Sequence, residues 1–344
     1  MVASENLKGL SLEDGWYVED IIKRSPHSTG GCFSCGYKVS KDNKYAYLKA
    51  IDLSSAFSQP DPLRALQAMT EAYNFERDLL EKCKNNHLSK IVYPITSGKV
   101  SVPGFPNLEN TVYYIIFEMA DGDIRTINET IDCFDFALIF RTMHNLAVAL
   151  KQIHTINIAH QDIKPSNALV FNNETKLSDM GRSSDLEHPF VNDSYQIPGD
   201  RNYAPLEQWY NYHLNNDFTD RFAADIYTFG SLFFFYFYNM SLSQIMIQKA
   251  KEHNIPISNI FEKDLPYWER IFDEDLYNLK EKLNTHIPEE ELLKTIEIIR
   301  SLCNPDPKKR GHRKNINQGY SQYDMQRFIT ELNVLAKKAE FKLI

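Results

Sequence analysis

Two hydrophobic rhythms share this chain. Up to about residue 120 most apolar residues fall in short runs rich in β-branched and aromatic side chains, which predict strands at Val18–Ile22, Tyr45–Ile51 and Thr111–Phe117. The small-residue stretch Thr29–Lys38 reads as a hairpin whose backbone N–H groups can approach a phosphate. One helix interrupts these strands, between Pro62 and Lys84. At about 100° per residue, Met69, Ala72, Tyr73, Leu79, Leu80 and Cys83 form a single apolar stripe on it, and Glu71 and Asp78 project away. Later the helical period dominates. Ile139, Met143, Leu146, Ala147, Leu150 and Ile153 mark a core helix, and Ala168–Phe171 is a short strand followed by a polar turn, Asn172–Thr175. The aromatic run Tyr227–Tyr238 predicts a buried helix, well short of the roughly eighteen apolar residues a bilayer requires. Charged amphipathic helices fill 242–300, and Tyr323–Lys342 is a tail helix with Phe328, Leu332, Leu335 and Ala336 on one side. No internal repeat or low-complexity linker divides the chain.

This pattern puts a few charges where they are expensive. Lys49 sits in an apolar and aromatic strand and needs an anionic partner. Glu76 falls in the middle of the helical stripe and needs a cation. An ion pair between them answers both requirements. Asp162-Ile163-Lys164-Pro165-Ser166-Asn167 carries a carboxylate, an amine and an amide within six positions. Pro165 excludes a continuing helix, and Asp162 and Lys164 lie on one side of an extended or turn segment. A second carboxylate follows in Asp179-Met180-Gly181, and the intervening strand, turn and strand bring it back beside the first loop. Two carboxylates and an amide, all oxygen donors, suit Mg²⁺ held against a polyphosphate better than zinc or copper.

Composition narrows the class further. Hydrophobic residues make up 43% of the 344, ample for a sizeable core, and the formal charge of −8 argues against a broad nucleic-acid surface. The chain opens on no basic stretch followed by an apolar core, so neither a signal peptide nor a membrane association is expected. Its five cysteines then predict free thiols in a reducing compartment, the cytoplasm. Cys32 and Cys35 form one Cys-x-x-Cys with no second pair, so a redox or metal role is the lesser reading.

The run His160–Asn167, taken with Asp179-Met180-Gly181, resembles the catalytic loop and the metal-binding Asp-Phe-Gly motif of the eukaryotic-type serine/threonine protein kinases, in the form found in bacteria. Lys164 marks the serine/threonine kind. Lys49 resembles the lysine of the kinase Val-Ala-Ile-Lys. The resemblance implies an α+β, bilobal protein-kinase-like fold, with a small antiparallel β-sheet lobe and a large mainly α-helical lobe. It implies one domain over 12–338, with a small lobe at about 12–118, a hinge at 118–123 and a large lobe at about 124–338. The implied partners are ATP, with Mg²⁺ or alternatively Mn²⁺, and a protein carrying Ser or Thr, autophosphorylation included. By the same resemblance Lys49, oriented by Glu76, clamps the inner phosphates; Asn167 and Asp179 hold the metal; Asp162 orients the substrate hydroxyl, and Lys164 neutralises the γ-phosphate. Phe117 becomes the gatekeeper, the backbone of Glu118 and Ala120 meets adenine, and Asp123 reaches the ribose. Asp225, in a segment similar to the buried kinase helix beneath the catalytic loop, accepts N–H groups of that loop, and Arg310 pairs with Glu207.

Several positions depart from the family pattern. In the glycine loop only Gly31 matches; Thr29 and Ser34 replace the other glycines, and Gly36 replaces the valine that packs on adenine. Gln161 replaces the arginine that reads an activation-segment phosphate, so switching by that route is not expected. Ser183, Ser184, Ser194 and Tyr195 are then either phosphorylation sites or plain polar loop residues. In Gly199–Gln208, Leu206 stands for proline and Asp200 for threonine; Asp200 either pairs with Lys164 or disfavours acidic peptides. Residues 242–300 offer a surface for a protein partner, or are plain surface helices. Two rival functions follow from these departures: an ATP-binding pseudokinase scaffold, and a small-molecule kinase of the same fold.

Overall fold

The computed structural model describes residues 2–22, 34–106, 110–130, 133–172 and 174–342. The chain forms two compact units, one of Met1–Gly122 with Leu169–Asn173, the other of Asp123–Ala168 with Glu174–Ile344.

In the first unit, strands β1 (Tyr17–Ile21), β2 (Ser34–Lys41), β3 (Lys44–Ile51), β4 (Pro94–Ser101) and β5 (Thr111–Glu118) make one antiparallel sheet in the order β1-β2-β3-β5-β4. Period-two alternation sorts its faces. Ala46, Leu48 and Ala50 of β3 are fully buried on one face together with Val39, Val112, Tyr114 and Ile116. The N-terminal segment covers that face, contributing Ala3, Leu7, Leu12 and Trp16, and Tyr37 Oη donates to the Ser4 carbonyl at 2.8 Å. Helix α1 (Pro62–Asn85) starts where Asp61 caps the Arg64 N–H at 3.1 Å and Pro62 occupies the first turn. It buries Glu76, Leu79, Leu80 and Cys83, all in its C-terminal half, whereas Ala72 of the predicted stripe is exposed. The earlier turns lie instead along a 3₁₀ turn, Ser54–Ser58, where the Ser55 hydroxyl meets Met69 Sδ at 3.7 Å.

A two-residue strand, β6 (Gly122–Asp123), leads to α2 (Ile124–Glu129), α3 (Phe136–Thr155), β7 (Ile158–Ala159), β8 (Ala168–Phe171), β9 (Glu174–Leu177) and β10 (Ser184–Asp185). The predicted turn at Asn172–Thr175 is shorter than expected, since Glu174 already belongs to β9. Of these elements, β8 lies in the first unit from Leu169 on, and helices α4 (Leu206–Trp209), α5 (Thr219–Tyr238), α6 (Leu242–Glu252), α7 (Phe261–Leu283), α8 (Glu289–Cys303), α9 (Arg313–Gln318) and α10 (Gln326–Glu340) complete the second. A sheet-built first part and a mainly helical remainder make the bilobal protein-kinase fold. Helix α5 is its buried axis: every residue from Ala223 to Phe237 is buried, and Asn239 ends it in the left-handed conformation. No helix of the described residues is long and apolar enough to cross a membrane.

Close packing on α5 explains one glycine. A Cβ on Gly230 would stand 2.7 Å from Leu302 Cβ and closer still to Cys303 Sγ. We expect Gly230→Ala to lower stability by about 1–3 kcal/mol through this overpacking, read as a fall in the urea midpoint; an unchanged midpoint would show that α8 can yield there.

Candidate active site

In the second unit the site is built outward from a carboxylate that touches no solvent. Asp225, on α5, accepts the His160 N–H at 2.8 Å, the Gln161 N–H at 2.7 Å and the His154 ring at 2.9 Å. A buried carboxylate needs such donors, and their price is a fixed path for the loop after β7. Gln161 turns it with φ 62°, and Pro165 opens a 3₁₀ turn, Pro165–Asn167. His160 Nε2 bonds the Ser178 carbonyl at 3.0 Å, which makes that nitrogen the protonated one and leaves Nδ1 to accept the Asp162 N–H at 3.3 Å. Ser178 in turn gives its N–H and its hydroxyl to the Asn167 carbonyl, at 2.9 and 3.0 Å. Asp179, the next residue, is in the left-handed conformation.

Asp162 is 6% exposed. Its Oδ1 accepts the Asp200 N–H at 2.8 Å; its Oδ2 accepts Lys164 Nζ at 2.8 Å and Asn167 Nδ2 at 3.2 Å. The Asn167 nitrogen also bonds the Asp162 carbonyl at 2.8 Å, so the amide presents its oxygen elsewhere. Burial pushes the Asp162 carboxyl above the usual range, the Lys164 ammonium works against that rise, and the charge of Asp179 adds to it. The amide oxygen of Asn167 and the carboxylate of Asp179 are hard donors, and that set fits Mg²⁺ or Mn²⁺.

Lys164 pairs with Asp162 rather than with Asp200. The Asp200 carboxylate instead accepts the N–H of Asn202 at 2.9 Å, the local turn chemistry of Asp. What touches Asp162 is the Asp200 backbone, and Gly199 makes that approach possible: a Cβ there would lie 3.0 Å from Asp162 Oδ1 and nearer still to the Gln161 carbonyl. Sequence reasoning passed over Gly199, although a glycine just before a conspicuous substitution is a signal for close backbone approach.

Around Gln161 the stretch 182–195 is tied by side chains. Gln161 Nε2 donates to Ser184 Oγ at 2.5 Å, and Arg221 Nη1 donates to Gln161 Oε1 at 3.3 Å. Arg221 Nη2 also stands 3.4 Å from Asp193 Oδ1, and the other Asp193 oxygen accepts the Phe190 N–H at 2.8 Å. Ser183 and Ser184 are fully buried in this network, which makes them structural rather than accessible to modification; Ser194 and Tyr195 are exposed. Farther along, the fully buried Arg310 forms a two-pronged bond with Glu207, at 2.5 and 3.0 Å.

The first unit holds Lys49, Glu76, Glu118 and Ala120, and the second begins at Asp123. Lys49 Nζ lies 2.7 Å from Glu76 Oε1 and 2.9 Å from Oε2, so the mid-stripe carboxylate of α1 meets the β3 lysine. Glu118 ends β5 opposite Ala46, and Ala120 follows in the irregular stretch beyond. Asp123 caps α2, its Oδ1 taking the Thr126 N–H at 2.8 Å and hydroxyl at 2.9 Å. Gly31 and Cys32 lie outside the described residues.

Comparison with known proteins agrees with this geometry. The family model described as "protein kinase domain" matches residues 29–320. Serine/threonine-protein kinase greatwall of Bos taurus is 25% identical over 167 residues, 48% of this chain and 17% of that protein. The membrane-associated tyrosine- and threonine-specific cdc2-inhibitory kinase wee-1.1 of Caenorhabditis elegans is 27% identical over 164 residues, 44% of this chain and 34% of that protein. Serine/threonine-protein kinase/endoribonuclease IRE1 of Oryza sativa subsp. japonica is 26% identical over 249 residues, 69% and 22% respectively. The chain thus spans about a third or less of these relatives.

Because two loop N–H groups and a histidine converge on Asp225, Asp225→Ala is expected to cost about 2–6 kcal/mol, from about 1–3 for each of the two loop N–H groups left buried without an acceptor. His154→Ala removes one neighbour only and should cost about 1 kcal/mol. Urea unfolding of both variants tests the order; equal losses would refute the central place given to this carboxylate.

Proposed function

The chain belongs to the protein kinase domain family, and on that premise we propose that it transfers the γ-phosphate of ATP to a serine or threonine hydroxyl of a protein substrate. The observation that carries this reading is the state of Asp162. Three donors hold its carboxylate in one orientation, and of roughly four lone-pair sites one stays available to a substrate hydroxyl.

In this reading Asp162 accepts a hydrogen bond from the hydroxyl, aims its oxygen at the γ-phosphorus and takes the proton as the new O–P bond forms and the bond to ADP breaks. Lys164, already beside Asp162, balances charge on the moving phosphoryl group. Lys49, oriented by Glu76, takes the inner phosphates. Asn167 and Asp179 would hold the divalent cation, Mg²⁺ or Mn²⁺, which when bound neutralises phosphate charge. The backbone of Glu118 and Ala120 is assigned to adenine, Gly31 to the phosphates, and the Asp123 oxygen not engaged with Thr126 to the ribose. Relatives bear names of both serine/threonine and tyrosine/threonine kinases; Lys164 favours the former here. The cytoplasm belongs to the same proposal and rests on the free thiols, Cys83 and Cys303 among them.

The test is transfer of labelled phosphate from Mg-ATP to the protein itself and to a generic basic protein. Wild type should label both on Ser or Thr, and Asp162→Ala should lose about 10²–10⁴ in rate. Unlabelled wild type that is still stabilised by ATP would replace this reading with a nucleotide-binding scaffold.

The raised Asp162 carboxyl makes a further prediction. A base must be deprotonated to act, and a raised pKa keeps the proton on at higher pH. The acid limb of kcat/KM should therefore fall away above the roughly 3.9 of an ordinary aspartate. A pH–rate profile flat down to pH 4 would contradict it.

A further inference from the structure

We propose that Ser241 and Ser243 are positioning residues of the phosphoryl transfer, because their hydroxyls hold the turn whose Asp200 N–H orients the Asp162 carboxylate. The inference rests on the transfer reading above and lies wholly within the second unit. Asp162 Oδ1 takes that backbone N–H at 2.8 Å. A side-chain donor can follow a moving carboxylate by rotating, whereas a backbone N–H points wherever its turn is placed. The turn Asp200–Ala204 closes on itself: the Asp200 carbonyl accepts the N–H groups of Tyr203 at 2.9 Å and Ala204 at 3.1 Å, and the Asp200 carboxylate takes that of Asn202. These bonds set its shape, not its place.

Its place comes from the start of α6. Ser241 Oγ donates to the Asn202 carbonyl, and Ser243 Oγ donates to the Ala204 carbonyl at 2.7 Å. Both serines are fully buried. A serine at a helix start ordinarily serves its own helix, and Ser241 does so as an acceptor, taking the Gln244 N–H at 3.2 Å. The protons of both hydroxyls go instead to the turn. A serine has one proton to give, so Tyr227 is the donor in its 3.0 Å contact with Ser243 Oγ. The Leu242 N–H donates to Ser231 Oγ at 2.8 Å. Tyr227 and Ser231 belong to α5, the helix that carries Asp225. Asp162 and its Asp200 donor are thereby referred to one buried frame, the loop after β7 through Asp225 and the turn through α6. A shift of α6 against α5 would move the N–H off the carboxylate, and a misplacement of about 1 Å can cost on the order of 10²-fold in rate.

Labelled-phosphate kinetics and backbone hydrogen exchange on the full chain test this. Ser241→Ala combined with Ser243→Ala should lower kcat about 10–100-fold and leave KM for Mg-ATP within about two-fold of wild type, since Lys49, Glu118 and Ala120 lie in the first unit. Exchange at the Asp200 amide should quicken roughly ten-fold. Gln244→Ala is the control: it removes the carboxamide oxygen that accepts the Ser241 N–H at 3.1 Å and leaves both hydroxyls. It should lower the urea midpoint and keep kcat. A serine variant with a lower urea midpoint but wild-type kcat, or a Gln244→Ala that loses as much kcat, would make the serines merely structural and overturn the proposal. Unchanged exchange at Asp200 would overturn it too. Should the double variant unfold in the assay, Ser243→Ala alone decides, because it leaves the cap of α6 intact. A wild type that transfers no phosphate would instead remove the transfer reading, and the proposal with it.

Discussion

The second unit depends on the burial of one negative charge. Asp225 has no exposed surface, so its carboxylate is tolerable only while donors surround it. The donors are the backbone at His160 and Gln161, the first turn of the loop that carries Asp162. From there each contact fixes the next: the His160 ring bonds Ser178, Ser178 bonds Asn167, and Asp162, Asn167 and Asp179 are held on two segments stitched to each other. Helix α5 holds the anchor still because it is buried along nearly its whole length. A solvated carboxylate at the same place would release the loop, since water could replace every donor.

Charge balance governs the rest of that site. Asp162, Asp179 and Asp200 bring three carboxylates near one loop, yet each is handled differently. Lys164 offsets Asp162, Asp200 turns its side chain to its own neighbour Asn202 and contributes only an N–H, and Asp179 adds a charge that raises Asp162. The stretch 182–195 follows the same economy. With glutamine at position 161, Asp193 and Arg221 supply a fixed opposite-charge tie beside Ser184, and no added phosphate is required to hold those residues together.

In the first unit the constraint is the two-sidedness of a sheet. One face is sealed by the N-terminal segment through Ala3, Leu7, Leu12 and Trp16. Polar work is left to the other, and there the Lys49 ammonium is held by both oxygens of Glu76. On the same face the Tyr47 ring lies over Gly36, so close that a Cβ there would meet it at 2.9 Å.

How much of this could be read beforehand follows from distance along the chain. Strand alternation in β3, the core stripe of α3, the mid-stripe Glu76 and the cluster Asp162–Asn167 were legible, because each is encoded within a few turns or residues. Ala72 misled the reading, since periodicity marks a face but not how far along the helix something covers it. The side chain of Asp200 found a nearer partner than Lys164; Ser183 and Ser184 proved to be interior; Gly199 and Gly36 owe their meaning to the Gln161–Asp162 backbone and the Tyr47 ring that lie against them. Those contacts join residues well separated in sequence, 38 positions in the case of Asp200 and Asp162, and no local period records them. The sequence by itself determined which elements form and which chemical groups are present, since propensity and periodicity act over short stretches. The tertiary structure alone decided which oxygen meets which donor, because burial withdraws water and leaves each polar group only the partners the fold delivers.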